Sequence, residues 1–292
     1  MIDRWPTSHH ETRKAESKIK AILQLPFMVG WHLFIPPRHF IYRRIDSSMT
    51  ASSTLLDIHD VSLAFGGIQA LDGVSLSMAT GELLGLIGPN GSGKTTLLNA
   101  IGNLYTIDRG HIEFLGQRID RLPLHDIALQ GIARTFQVAR VFRRMTVLEN
   151  MLVPGYTANE EAQQSPGELG QRARDLLRFL DIDQLTHEQA GNLSGGQQKL
   201  LEFARALMLR PRLILLDEPF AGVHPLLKER MLERIGELHG QGIDIIVVSH
   251  DLPTILGISS RLAVLANGRK IADGPPEDVR HQEEVIEAYL GV

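Results

Sequence analysis

Apolar residues from Leu55 onward recur at near-alternate positions, Leu56, Ile58, Val61, Leu63 and Phe65, which is the period of half-buried strands. Leu83 to Ile87 form a short apolar run that stops at glycine. Leu213–Leu216 and Ile245–Val248 are continuous apolar runs bounded by charged or polar residues, the pattern of strands covered by helices on both faces. An α/β fold with a mainly parallel sheet follows. Between those runs Leu200, Phe203, Ala204, Leu207 and Met208 recur at helical spacing, and Asn267-Gly268 between two apolar segments reads as a tight hairpin. The stretch from about 138 to 192, with Leu176, Leu177 and Leu180 at helical spacing, interrupts the strand alternation and is expected to form a helical lobe.

Composition narrows this picture. The 292 residues are 43% hydrophobic and 22% charged, average for a globular chain with one large core or a core and a smaller lobe. A net charge of −4 gives no electrostatic footprint for nucleic acid, so no nucleic-acid partner is expected. The absence of cysteine removes disulfides, thiolate metal ligands and a cysteine nucleophile. The longest apolar stretch, Ala21 to Ile35, is broken by Gln24, Pro26, Gly30 and His32 and falls short of the ~20 residues a spanning helix needs. Polar residues fill the first twenty positions where a secretory signal would need its apolar run, so export is not expected. Residues 1–50 carry eight Lys/Arg against four Asp/Glu. They are read as a disordered extension, or as sequence upstream of a start at Met49, with a basic membrane-surface anchor as the alternative.

The chemistry begins at Gly88-Pro89-Asn90-Gly91-Ser92-Gly93-Lys94-Thr95, which fits G-x-x-x-x-G-K-[ST] between an apolar strand and the helix-like run Thr96 to Ile101. Glycines let the backbone curl so that several N–H groups face one phosphate, and the following helix adds its positive end. Lys94 would place a compact charge between the β- and γ-phosphates of ATP, and Thr95 would offer a hydroxyl to Mg²⁺. Asp217 and Glu218 end the run Leu213–Leu216, at the strand edge where open α/β sheets bind ligands. There Asp217 could hold Mg²⁺, directly or through water, and Glu218 could deprotonate an attacking water, whereas an isolated acidic turn before Pro219 would do neither. His250 follows the strand Ile243–Ser249 and should emerge at the same edge, within reach of a γ-phosphate.

A second glycine pair lies in Leu193-Ser194-Gly195-Gly196-Gln197. Ser194 and Gln197 have the spacing of a capping box, so a plain helix start is one reading. Two glycines in a first turn cost about 1 kcal/mol each relative to alanine, which makes sense if another group must approach the backbone. Since the first cradle already wraps one face of the nucleotide, this one would serve ATP held by another copy.

The order GPNGSGKTT, Gln137, LSGGQQ, LILLDEP and His250 resembles the ATP-binding cassette (ABC) family over residues 55–292. The resemblance implies a P-loop NTPase core with an antiparallel β subdomain and an inserted helical lobe, and a single ATP-binding domain over 51–292. It further implies that Phe65 stacks on adenine, that Gln137 senses Mg²⁺ and the γ-phosphate, and that Ser194, Gly195 and Gly196 clasp ATP across a head-to-tail dimer, of this chain or with a paralogue. Phe65 on its own would read as a core strand residue. GIARTFQ (131–137), VFRRMTVLENMLV (141–153) and the tail VIEAYLGV are similar to ATP-binding subunits of branched-chain amino acid importers, with urea, short-chain amide and lipopolysaccharide transport ATPases sharing much of that wording. Such a subunit sits peripherally on the cytoplasmic face of the inner membrane, with permease chains and an exported solute-binding protein as partners. Arg140, Phe142, Arg143 and Arg144 would form the permease dock, a solvated basic loop being the alternative. A soluble cassette acting on DNA or ribosomes would call for a long coiled coil or a second cassette, and neither is visible; a nucleotide-regulated switch that barely hydrolyses ATP is a further alternative. One departure is His224 in AGVHP, where the family pattern has Asp or Asn.

Overall fold

The alternating set at 55–65 builds β1 (Thr54–Phe65), which turns at Gly66-Gly67 and pairs antiparallel with β2 (Ile68–Ala79). The computed structural model describes residues 54–162 and 165–290, so the expectations for the basic segment 1–50 lie outside the described residues. β3 (Leu83–Ile87) leads through the glycine-rich loop into α1 (Lys94–Ile101). After β4 (Arg109–Phe114), β5 (Gln117–Arg118) and α2 (Leu124–Leu129) the chain enters β6 (Ile132–Arg134). Two helices follow, α3 (Val147–Ala162) and α4 (Pro166–Phe179), then α5 (Gly195–Met208). The rest alternates as the apolar runs predict: β7 (Leu213–Asp217), α6 (Pro225–Gly240), β8 (Asp244–Val248), α7 (Leu252–Ile258), β9 (Arg261–Ala266), β10 (Arg269–Gly274), α8 (Pro276–Val279) and α9 (Glu283–Leu290).

Two sheets result, a four-stranded one in the order β2-β1-β4-β5 and a six-stranded one in the order β10-β9-β3-β8-β7-β6. The first is antiparallel; the second is parallel except for β10. Successive residues of each buried strand point to opposite faces, and the core divides accordingly. Leu213, Leu215, Ile246 and Val248 pack with α1 and the antiparallel sheet, while Ile214, Leu216, Ile245 and Val247 pack with α4, α5, α6 and α7. This is why both runs are apolar at every position.

Within 138–192 the chain runs as a loop up to Thr146 and then forms the helices Val147–Ala162 and Pro166–Phe179. Ser165 and Glu168 form a reciprocal cap with Pro166 at the first helical position of α4, and Leu176, Leu177 and Leu180 are all buried. The hairpin at Asn267-Gly268 also forms, with both residues at positive φ (47° and 76°), the two-residue turn that suits strand twist.

Candidate functional site

β3 delivers the loop Gly88–Gly93 to the C-terminal edge of the parallel sheet, beside the ends of β8 and β9. The loop is braced from outside its own sequence. Gly88 has φ 146°, and a Cβ there would meet the Leu265 carbonyl oxygen at 2.1 Å, so no other residue fits. The Gly268 amide, at the tip of the C-terminal hairpin, donates to the Ser92 carbonyl at 3.2 Å, and the Ala70 carbonyl of β2 lies against Gly93. Asn90, Gly91 and Thr95 face solvent, Pro89 and Thr96 are half-buried, and Ser92 and Lys94 are buried. Lys94 Nζ donates to the carbonyls of Gly88 (2.9 Å) and Pro89 (2.8 Å) and to Ser92 Oγ (3.3 Å), which holds the ammonium at the mouth of the loop. Burial pulls its pKa down, against the attraction of Glu218 and Asp217.

Asp217 ends β7 at 1% exposure. Its Oδ1 accepts from Thr95 Oγ1 at 3.1 Å, which ties the loop hydroxyl to the strand end. The sequence left the countercharge of Asp217 to a metal ion; the fold supplies one from the chain itself. Arg134, at the end of the neighbouring strand β6, donates to Asp217 Oδ2 at 3.0 Å and to Asn99 Oδ1 at 2.7 Å. Both partners are deeply buried, and burial lowers the Arg134 pKa against the pull of Asp217.

Glu218 stands in the left-handed region at φ 48°, which costs a non-glycine residue about 1–2 kcal/mol. Its backbone is held at both ends: the amide donates to the Val248 carbonyl at 2.9 Å, and its carbonyl accepts from Lys199 Nζ at 2.6 Å. That conformation turns the side chain toward His250, which follows β8, with Nδ1 of the exposed imidazole 2.8 Å from Glu218 Oε2. The pair is close but not aligned as a hydrogen bond, and the buried Oε2 accepts none. An orphaned carboxylate oxygen at the sheet edge is suited to receive a proton from a water molecule.

Gln137 is exposed in the loop after β6. Phe65 is 43% exposed at the tip of β1, edge-on to the equally exposed Tyr105 at 5.0 Å, so it is not the core residue its strand pattern allows. Hard oxygen donors from Thr95, Gln137 and Asp217 fit Mg²⁺. Among the described residues no three His, Asp or Glu side chains cluster as a metal cage.

Leu193–Gln197, the signature segment, opens α5, which packs on α3 and α4. Ser194 Oγ accepts from the Gln197 amide (3.3 Å) and Gln197 Oε1 from the Ser194 amide (2.9 Å), the expected capping box. Ser194 and Gly195 are exposed, while Leu193 is buried. The two glycines differ in reason. A Cβ on Gly195 would meet nothing within 4 Å, whereas one on Gly196 would meet Leu227 of α6 at 2.9 Å. A side chain at 196 would therefore have to displace the end of Leu227, a packing reason for a small residue that Gly195 lacks. His224 caps α6, its Nδ1 accepting from the Leu226 amide at 3.4 Å, so the imidazole does the capping that a short polar side chain would do at that position. Arg134, Asn99 and Lys199 were not legible as site residues, because each meets the site through strand order or helix packing and not through a local motif.

Comparison with known proteins agrees with this geometry. A family model described as ABC transporter matches residues 71–221, and one described as branched-chain amino acid ATP-binding cassette transporter matches residues 269–292. A probable branched-chain amino acid transport ATP-binding protein LivG of Archaeoglobus fulgidus is 40% identical over 245 residues, covering 81% of this chain and 95% of that one. The high-affinity branched-chain amino acid transport ATP-binding protein BraF of Pseudomonas aeruginosa is 35% identical, covering 82% and 99%. Among solved structures, a nucleotide-free ATP-binding cassette from an ABC transporter superposes with a TM-score of 0.72 at 35% identity, covering 81% of this chain and 98% of that one. A dimeric post-hydrolysis cassette bound to ADP and Pi superposes with a TM-score of 0.70 at 27% identity, covering 76% and 99%. The phosphate loop, the Asp217–Glu218 strand end and the Ser194 signature thus sit on one cassette fold, and the chain belongs to the ABC transporter family as an ATP-binding, ATP-hydrolysing subunit.

Proposed function

We propose that this chain powers uptake of branched-chain amino acids, docked on permease chains at the cytoplasmic face of the membrane and paired head to tail with a second cassette. The observation that carries the substrate class is the C-terminal segment 269–292, which matches the branched-chain amino acid cassette model. The relatives that cover most of the chain bear the same transport name. Among the described residues no helix is long and apolar enough to cross a membrane, consistent with a route through the bilayer on other chains.

In this reading the loop amides and Lys94 cradle the β- and γ-phosphates of ATP, and Phe65 offers its exposed ring to the adenine. Thr95 and Gln137 would hold Mg²⁺, with Asp217 acting through the Thr95 hydroxyl or a water, and the ion held there would supply countercharge for the phosphate oxygens. Ser194 and Gly195 of the partner copy close over the γ-phosphate, which their exposure permits. Glu218 Oε2 takes a proton from the attacking water, and His250 orients that carboxylate and the γ-phosphate. Closure of the dimer would reach the permease through the loop bearing Arg140, Phe142, Arg143 and Arg144. Phe142 is 44% exposed and Val138 79%, apolar surface beside arginines that suits a partner helix.

The test is to purify the tagged chain gently from native membranes and identify its companions by mass spectrometry. Two permease chains, a second cassette and an exported solute-binding protein that binds leucine, isoleucine or valine are expected. A binder for urea, amides or another solute, or recovery on ribosomes with no membrane chain, would overturn the assignment.

A further inference from the structure

Glu202 lies in the middle of α5 at 6% exposure, surrounded in sequence by Leu200, Leu201, Phe203 and Ala204, all buried. A carboxylate is costly there unless its oxygens are fully used. Both are used on one short loop: Oε2 accepts from the Phe136 amide at 3.2 Å and Oε1 from the Arg140 amide at 2.8 Å. These two amides bracket Gln137, and no strand ladder takes them up. Burial pushes the Glu202 pKa up, while the Arg140 and Phe136 amides, and after them Arg205 and Lys199, pull it down.

Neighbours along the same side of α5 extend the contact. Lys199, three residues earlier, donates to the Glu218 carbonyl at 2.6 Å. Arg205, three residues later, donates to the Arg140 carbonyl and lies over the Phe142 ring, 4.8 Å from its centroid. Residues spaced i, i+3, i+6 share one helix face. One stripe of the helix that Ser194 caps therefore touches the Glu218 backbone, the Gln137 loop and the Phe142 segment in turn.

We propose that Glu202 is a positioning residue that pins the Gln137 loop to the signature helix, so that the element facing the partner's ATP, Gln137, and the surface around Phe142 shift as one body. Without Glu202, the loop between Phe136 and Arg140 would be tied to the helix by the Arg205 contact and side-chain packing alone, while Asn150 holds the Phe142 backbone to α3. Charge-assisted bonds from a single carboxylate to two amides hold the loop better than neutral ones. The transport part of this inference rests on the permease reading above; the clamp itself does not.

Two measurements on Glu202→Gln test it. The carboxamide is the same size but faces one of the two amides with an NH2 group, so it can hold only one of them. On the chain alone, amide hydrogen exchange across 136–140 should accelerate by about tenfold, with β7 and β8 unchanged. In the complex with its membrane chains, the KM for ATP should stay within about twofold while solute moved per ATP hydrolysed falls by about threefold or more. Glu202→Asp, which keeps the charge and both acceptors, should recover part of that ratio. Wild-type exchange at 136–140 in Glu202→Gln, or transport and hydrolysis falling in strict proportion with melting temperature, would overturn the clamp. A wild-type complex whose ATP hydrolysis moves no solute would instead defeat the transporter reading, and the exchange result on the chain alone would still decide the clamp.

Discussion

His250 Nδ1 and Glu218 Oε2 stand 2.8 Å apart at the ends of two adjacent parallel strands, β8 and β7, the imidazole largely exposed and the carboxylate buried. In the proposed mechanism the exposed ring would contact a bound phosphate while staying beside the carboxylate that would receive the water proton. His250→Ala is therefore expected to lower kcat for ATP by about 10²-fold while nucleotide affinity changes little. Steady-state turnover and equilibrium binding of ATP, measured side by side, check it.

Gly195 separates folding from function. A Cβ there is free of contacts within the chain and its φ is not in the left-handed region, so Gly195→Ala should leave the melting temperature unchanged or raise it, by up to about 1 kcal/mol in stability. In the proposed head-to-tail dimer the same methyl would stand where the partner's nucleotide approaches, so hydrolysis should fall by about tenfold or more, with the ATP-bound dimer weakened. Calorimetry and turnover on one preparation distinguish the two effects.

Asp244 sets a pH dependence remote from catalysis. Burial pushes its pKa from 3.8 up to about 6, although its Oδ1 accepts from the Gly81 and Glu82 amides at 2.5 and 3.0 Å. Between those two values the folded chain keeps a proton that the unfolded chain has lost, so this group's contribution to stability falls as pH rises through that window and stays lower above it. Asp244→Asn keeps the Oδ1 acceptor and removes the charge. Urea midpoints should show the variant gaining on the parent from pH 4 to pH 6.5 and holding that gain at pH 8.

Phe142 and Arg143 lie on the proposed docking surface and belong neither to the phosphate loop nor to the Asp217–Glu218 strand end. Replacing both with alanine should leave ATP affinity of the chain within about twofold and reduce solute uptake by the assembled transporter by about tenfold. Loss of ATP binding in this variant would move the segment from the dock to the nucleotide site.

The phosphate loop, the Asp217–Glu218 strand end and the signature cap were readable because each is a local run whose spacing already states its geometry, as were the strands whose every residue is apolar. What escaped reading is joined by topology. Arg134 meets Asp217 across 83 positions because β6 and β7 are neighbours, and Glu202 meets Phe136 across 66 because α5 packs over the loop. The same applies to the hairpin residue Gly268, which braces Ser92 only because β9 lies beside β3. Phe65 shows the limit of period-2 reasoning: it continues the alternation of β1 but falls at the turn, where the core has ended and the ring stands in solvent.

Glu218→Gln tests the central claim, that ATP is hydrolysed between two copies with Glu218 as the base. The amide keeps the shape of the side chain and cannot take the proton. ATP turnover should drop by about 10²–10⁴-fold, and sedimentation should show the variant as a dimer with ATP and as a monomer with ADP. Unchanged turnover, or no ATP-dependent dimer, would contradict the account and return the chain to a nucleotide-binding switch.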